Sequence, residues 1–387
     1  MPHIRLSRRQ LLTGLGAAGL TVAACRAFQG LWEQHFVIPR PIIIGLDDQK
    51  LYPQQIDDIQ IIKPIGFLFY QRNISNRSQL RTFIEKLRDI CGYDIITIID
   101  QEGGSVLRMT PPQWVNYPAP PSMGIIARQN MEDAKRITYL TYRLIARDMK
   151  AVGLNTNAAP LLDVQYSTNV NRNTYRSFGP DHGIVTALGH VACDALLEGG
   201  IIPVIKHIPG QGRAITDSDR ELTNIPHSHE ELEADWAIYK SFTDMPMAMT
   251  SIATFNQLDN QTPVVFSSKG IEFIRNKLGY KGLLLTDDIC IPSIETNIFA
   301  NISQSLVAGN DIALCSHAAI TIIRKLSGNM PAPNPAIYQR AREALLFAAK
   351  KYIPCDESAL RSELADFAKK YCLNMDLLTP QSNMSAL

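Results

Sequence analysis

The 387-residue chain has almost no excess of charge of either sign: 38 Lys and Arg face 37 Asp and Glu, a net charge of +1. That balance leaves no basic footprint for nucleic acid and no broad attraction to an anionic membrane, so the partners expected are small or neutral. The seven cysteines (Cys25, Cys91, Cys193, Cys290, Cys315, Cys355 and Cys372) include no CxxC pair and no zinc-ligand spacing. Phosphate-binding loops and dinucleotide fingerprints are missing too, and neither a cofactor nor a metal is expected. The 23 prolines are spread along the chain, no segment repeats, and no change of composition marks a second large domain. Most cysteines are expected to be buried small hydrophobes; a disulfide, with Cys355 and Cys372 as the pair considered, would require an exported protein.

At the N-terminus the uncharged run from Leu11 to Ala24 is 14 residues, short of the roughly 20 that a membrane-spanning helix needs. His3, Arg5, Arg8 and Arg9 precede it and small residues close it, the layout of a signal peptide. "SRRQLL" resembles a twin-arginine export signal and "VAAC" a lipoprotein processing site at Cys25. Residues 1–35 are therefore read as an export signal and linker, and the mature protein as periplasmic or tethered to a membrane only through lipid at Cys25. The alternative is a cytoplasmic protein with an amphipathic N-terminal helix, which the three glycines in the run disfavour.

Apolar residues, 45% of the chain, are plentiful enough for one large core. Short β-branched runs predict strands at 42–46, 66–70, 95–100, 154–164, 202–208, 247–252, 282–288 and 311–315, none with the alternation of a sheet wetted on one face. Helical periods fall between them, at 77–91, 131–151, 183–198, 229–243, 267–278, 297–308 and 334–351, with 50–62 the weakest signal. Eight strands alternating with helices predict an α/β fold, a (β/α)8 TIM-type barrel over residues 36–352. Leu360, Leu364, Phe367 and Tyr371 predict an extra C-terminal helix within the tail 353–387.

Polar groups gather where these strands end, the face on which barrel enzymes carry their chemistry. Asp47, Arg72, Asp100 with Glu102, Asp163, Lys206 with His207, Thr250 with Ser251, Asp287 with Asp288, and Ser316 all fall on that rim. Donors and acceptors without a phosphate loop suit a neutral polyhydroxylated ligand, and a sugar between carboxylates suggests glycoside hydrolysis with Asp287 attacking the anomeric carbon. Asp287 and Asp288 are strand neighbours, so one is expected to face the cleft and the other to pair outside it.

The motifs "KPIGFLFYQRN" (63–73), "DQEGGSVLR" (100–108), "GLNTNAAPLLDV" (153–164), "RSFG" (176–179), "IKHIPGQG" (205–212), "LGYKGLLLTDD" (278–288) and "LVAGNDIAL" (306–314) resemble, in order and spacing, glycoside hydrolase family 3, in particular its single-domain β-N-acetylhexosaminidases of the NagZ type. The resemblance implies a retaining glycosidase that removes β-N-acetylglucosamine from cell-wall (peptidoglycan) fragments, with Asp287 as nucleophile. It implies sugar contacts from Asp100, Arg108, Arg176, Lys206 and His207, and a structural role for Asp163. A monomer is expected. One departure stands out: the loop after Lys206 and His207 ordinarily carries Asp, Ser and His, the His being the acid and base, whereas this chain has Asp217, Ser218 and Asp219. Gln211, Ser105 and Ile252 also replace residues common in the family. An aspartic acid titrates near ~3.9, where a histidine titrates near ~6.5, so Asp219 needs a raised pKa to donate a proton at neutral pH. His227 and His229, beyond the loop, fit a helix start capped by Ser228 better than a surrogate acid. Two functions therefore stay open, a glycosidase using Asp287, Asp219 and Asp217, and a sugar-binding protein that has lost turnover. A lyase using Lys206 as a Schiff base is disfavoured by the carboxylates around it.

Overall fold

The computed structural model describes residues 37–166, 175–216, 221–291, 294, 297–317, 324 and 330–373. The chain divides into two compact units, Met1–Ile38 and Pro39–Leu387. The strands of the second unit, in chain order, are β1 (Arg40–Gly45), β2 (Pro64–Phe69), β3 (Ile96–Ile99), β4 (Thr156–Asn157), β5 (Ile202–Ile208), β6 (Asn224–Ile225), β7 (Met247–Thr250), β8 (Thr254–Phe255), β9 (Leu283–Asp288) and β10 (Ile312–Cys315). Eight of them close a barrel in the order β1-β10-β9-β7-β5-β4-β3-β2, with every pairing parallel. β6 and β8 form a separate parallel pair. The predicted (β/α)8 barrel is therefore the fold.

The barrel strands are buried on both faces, as their unbroken apolar runs require. Helices cover the outside: α1 (Pro53–Ile62), α2 (Arg77–Cys91), α3 (Pro120–Ala127), α4 (Met131–Val152), α5 (His182–Glu198), α6 (His229–Lys240), α7 (Ser268–Glu272), α8 (Ile298–Val307), α9 (Pro335–Lys351) and α10 (Glu357–Lys370). In α2 the Asn76 side chain accepts from the amide of Gln79 at the start, Gly92 ends the helix at φ 70°, and Leu80, Phe83, Ile84 and Leu87 face the core. The weak signal at 50–62 is a true helix, α1, opened by Pro53. The tail helix α10 buries Leu364 and joins α4 through Arg136 with Glu363 and Lys370 with Asp133.

Three expectations need correction. The strand expected over 154–164 is only Thr156–Asn157, with one further bridge from Leu161 to Lys206, because Pro160 has no N–H to continue the ladder. The segment expected as one helix over 267–278 is the short α7 followed by a π-helical turn, Phe273–Lys277. Cys355 and Cys372, the pair considered but not favoured, are indeed exposed free thiols, and the disulfide joins Cys290 to Cys315. Third, among the described cysteines only Cys193 and Cys315 are buried, so the expectation that most are buried fails.

Candidate active site

β5 brings two consecutive basic residues to the mouth. Neighbours on a regular strand face opposite ways, but the pairing with β7 slips between Lys206 and Ile208, and both Lys206 and His207 end among carboxylates. The Lys206 ammonium lies 2.9 Å from Asp100 Oδ1 and 2.6 Å from Glu102 Oε1. Arg176 clasps Glu102 with two parallel bonds, Nε to Oε2 at 2.9 Å and Nη2 to Oε1 at 2.6 Å. Arg108 reaches Asp100 through Nη2 at 3.4 Å, while its Nε is buried with no hydrogen-bond partner. A buried donor without a partner is unfavourable in an empty site and useful in one that receives hydroxyl oxygens.

Asp100 and Glu102 reach this cluster because the chain turns sharply after β3. Gly103 and Gly104 take φ values of 92° and 64°, and a Cβ at Gly103 would come 2.5 Å from the carbonyl oxygen of Pro118. Burial by itself would raise the pKa of Asp100, but Lys206 and Arg108, with a smaller share from Arg176, hold it well below the carboxylate range. Glu102 is likewise opposed by burial and brought down to about 2 by Arg176 and Lys206. Both are anions among cations.

His207 is held from behind. Its Nδ1 donates to Asp163 Oδ2 at 2.7 Å, and the same carboxylate accepts from the amide of Gln211 at 2.8 Å and the hydroxyl of Tyr239 at 3.1 Å. Burial raises the Asp163 pKa, yet His207 and the backbone amides outweigh that and leave it lowered. With Nδ1 engaged, Nε2 faces Asp287 Oδ2 at 3.7 Å. Asp287 Oδ1 accepts the amide of Asp288 at 2.8 Å.

Asp288 turns the other way, toward β10. Its carboxylate accepts from the Ser316 amide, the Ser316 hydroxyl and the Cys290 amide, and Oδ2 lies 2.6 Å from His317 Nδ1. The Tyr70 hydroxyl meets Ser316 Oγ at 2.6 Å, and the Tyr70 ring stands edge-on to His317. Arg108 lies 5.3 Å from the centre of the same ring, so Tyr70 links the β10 side of the rim to the Asp100 cluster.

The six residues Asp287, Asp100, Arg108, Arg176, Lys206 and His207, scattered over 188 positions of sequence from 100 to 287, thus meet at one end of the barrel. Asp217, Asp219 and Cys25 lie outside the described residues. His229 packs edge-on against Trp236 at the start of α6, where Ser228 accepts from the Glu231 amide. Gln211, one of the family departures, accepts from the Ser251 hydroxyl at 2.8 Å. Sequence reasoning placed Glu102 on the rim without a partner and overlooked His317 and Tyr70. The Asp-x-Glu spacing at 100–102 and the position of His317 directly after Ser316 were the available signals. Among the described residues no group of three His, Cys, Asp or Glu side chains could hold a metal ion.

Residues 55–342 match the model of the glycosyl hydrolase family 3 N-terminal domain. The chain belongs to glycosyl hydrolase family 3. It is a glycoside hydrolase, and the mouth of its barrel carries the polar set just described. A β-hexosaminidase of Bordetella avium is 26% identical over 303 residues, covering 76% of this chain and 86% of that protein. Another, from Psychromonas ingrahamii, is 25% identical over 78% of this chain and 90% of its own length. In structure the chain is similar to NagZ of Neisseria gonorrhoeae in complex with N-trifluoroacetyl-D-glucosamine, with a TM-score of 0.76, 23% identity, and coverage of 86% and 99% of the two chains.

Proposed function

We propose that this family 3 hydrolase removes terminal β-N-acetylglucosamine from cell-wall fragments by a retaining mechanism, with Asp287 as nucleophile. The observation that carries the reading is the approach of Asp287 to His207 Nε2 at 3.7 Å, beside the buried cluster of Asp100, Glu102, Lys206, Arg108 and Arg176. Asp287 Oδ1 is engaged by the backbone, and Oδ2 is the oxygen on the side of His207. Attack by that oxygen on the anomeric carbon forms a glycosyl ester, and water then releases the sugar with its configuration retained. Asp100, Arg108, Arg176, Lys206 and His207 hold the sugar hydroxyls and the acetamido-bearing ring. The unsatisfied Nε of Arg108 supports this, since a hydroxyl oxygen would complete it. The curated relatives named β-hexosaminidase support the aminosugar.

Export is part of the proposal. The Cys290–Cys315 disulfide supports an oxidising compartment, in keeping with the signal-like N-terminus and a lipid at Cys25. Turnover of nitrophenyl N-acetyl-β-glucosaminide by the wild type, lost in Asp287→Ala, tests the hydrolase reading. A protein that binds N-acetylglucosamine yet turns over no activated glycoside would instead be the sugar-binding alternative. Mass spectrometry of the mature N-terminus tests processing at Cys25.

A further inference from the structure

The nucleophile stands on an irregular stretch of strand. β9 and β10 pair at Leu285 with Ile312 and again at Asp288 with Leu314, so two residues of β9, Thr286 and Asp287, lie opposite the single Ala313. That extra residue makes a β-bulge, which bends a strand and re-aims a side chain. The Leu314 amide donates to the Thr286 hydroxyl oxygen at 2.8 Å, and the Asp288 amide donates to Asp287 Oδ1 at 2.8 Å. The nucleophile's own carboxylate therefore depends on the bulge: any slip that returns the Asp288 amide to the ladder takes that bond from Asp287.

A bulge gives up ladder bonds and is the soft point of a strand pair. Just beyond it the two strand ends are tied together repeatedly. The Ile289 amide donates to the Leu314 carbonyl at 3.0 Å, and Asp288, turned away from the cleft, accepts from the Ser316 amide and hydroxyl and from the Cys290 amide. Cys290 is covalently joined to Cys315, the last residue of β10. We propose that the Cys290–Cys315 disulfide is a positioning bond for catalysis: it locks the bulge that aims Asp287, and full turnover requires it to be oxidised. The inference rests on the assignment of Asp287 as nucleophile.

Hydrogen bonds in this tie can be exchanged for bonds to water, whereas the covalent link cannot, so the link limits how far the end of β9 moves from β10. Cys315 is fully buried and Cys290 half-buried, so a small thiol approaches from the Cys290 side. A dithiol such as dithiothreitol attacks one sulfur, the S–S bond breaks, the reagent leaves as its own disulfide, and its two hydrogens end on Cys290 and Cys315. The sugar contacts Asp100, Arg108, Lys206 and His207 come from the end of β3, the turn after it and β5, strands that this bond does not touch. Loss of the bond disturbs attack and leaves sugar binding in place.

The test compares oxidised wild-type protein, the same protein reduced with dithiothreitol, and Cys290→Ala/Cys315→Ala, each shown to be folded by circular dichroism at the assay temperature. With nitrophenyl N-acetyl-β-glucosaminide, kcat should fall roughly 10- to 100-fold on reduction and in the double variant, the effect of misplacing a nucleophile by about 1 Å. The inhibition constant of free N-acetylglucosamine should move by less than about twofold, since its contacts remain. Reoxidation should restore the wild type, and dithiothreitol should do nothing further to the double variant, which keeps Cys91, Cys193, Cys355 and Cys372 as free thiols. An unchanged kcat in folded reduced protein would make the bond purely structural and overturn the proposal, as would equal losses of turnover and sugar affinity. Should reduction unfold the chain, the comparison is made in sucrose, which favours the compact state. Oxidised wild type inert toward the nitrophenyl glycoside would remove the hydrolase reading and this inference with it.

Discussion

Ion pairs of equal length hold two parts of this molecule, and they do different things. At the barrel mouth Lys206 and Glu102 are 2.6 Å apart with side chains 2% and 1% exposed. On the outer seam between α4 and α10, Arg136 and Glu363 are also 2.6 Å apart, but 43% and 39% exposed. Water screens the seam pair and competes for its partners, so it contributes little. The mouth charges have given up their hydration and depend on one another, so loss of one strands the rest. Distance is the same, and burial decides the energetics. Such a cluster is costly in a merely structural role and suited to a site that offers preorganised donors to a ligand.

The sharpest break of that comparison is Asp287→Ala. It is expected to lower kcat by on the order of 10⁴ or more while leaving the thermal midpoint unchanged or higher, since it removes a carboxylate from a crowded mouth. A stability loss matching the activity loss would make Asp287 structural. Next is Glu102→Gln, which leaves Lys206 and Arg176 short of a counter-charge and should destabilise by ~3–5 kcal/mol in urea unfolding. The pH dependence has a definite sign. Glu102 is lowered in the fold from 4.5 to about 2, so its contribution is complete above the unfolded value and is lost as pH falls through that window. Glu102→Gln should therefore flatten the acid side of the stability profile. Glu363 is lowered as well, first by the hydrogen bond from Arg136, but its exposure predicts almost no change in the profile on substitution.

A smaller effect is expected at the disulfide between the neighbouring ends of β9 and β10. Reducing Cys290–Cys315, which closes 25 positions of sequence, should cost about 3 kcal/mol, seen as a lower urea midpoint under dithiothreitol. Smallest is Arg136→Ala on the seam, at ~0.2–1 kcal/mol with kcat/KM unaltered. A loss there as large as that of Glu102→Gln would erase the distinction between the two regions.

Much of the fold was legible because buried parallel strands and amphipathic helices write their periods into local sequence. "GFLFY" and "GLLLTDD" gave β2 and β9 within two residues, and Leu80, Phe83, Ile84 and Leu87 gave α2. Local signals failed where a neighbour or a single atom decided. Pro160 cut β4 short for want of one N–H, and Pro120–Ala127, apolar on nearly every side, carried no helical stripe to read. Cysteine spacing singled out no pair, and the bridge forms between the ends of β9 and β10, which the barrel order alone makes adjacent.

The sequence by itself determined the eightfold alternation, the polar strand ends and the family motifs, because each depends on residues close together in the chain. Only the tertiary structure decided which charges are paired and which are left with something to do. The Glu102 clasp, the unsatisfied Arg108 Nε and the Asp288–His317 pair depend on the closing of the barrel, which brings strand ends within hydrogen-bonding distance and shuts water away from them. Burial and cross-strand distance are properties of the closed cylinder, and no window of sequence contains them.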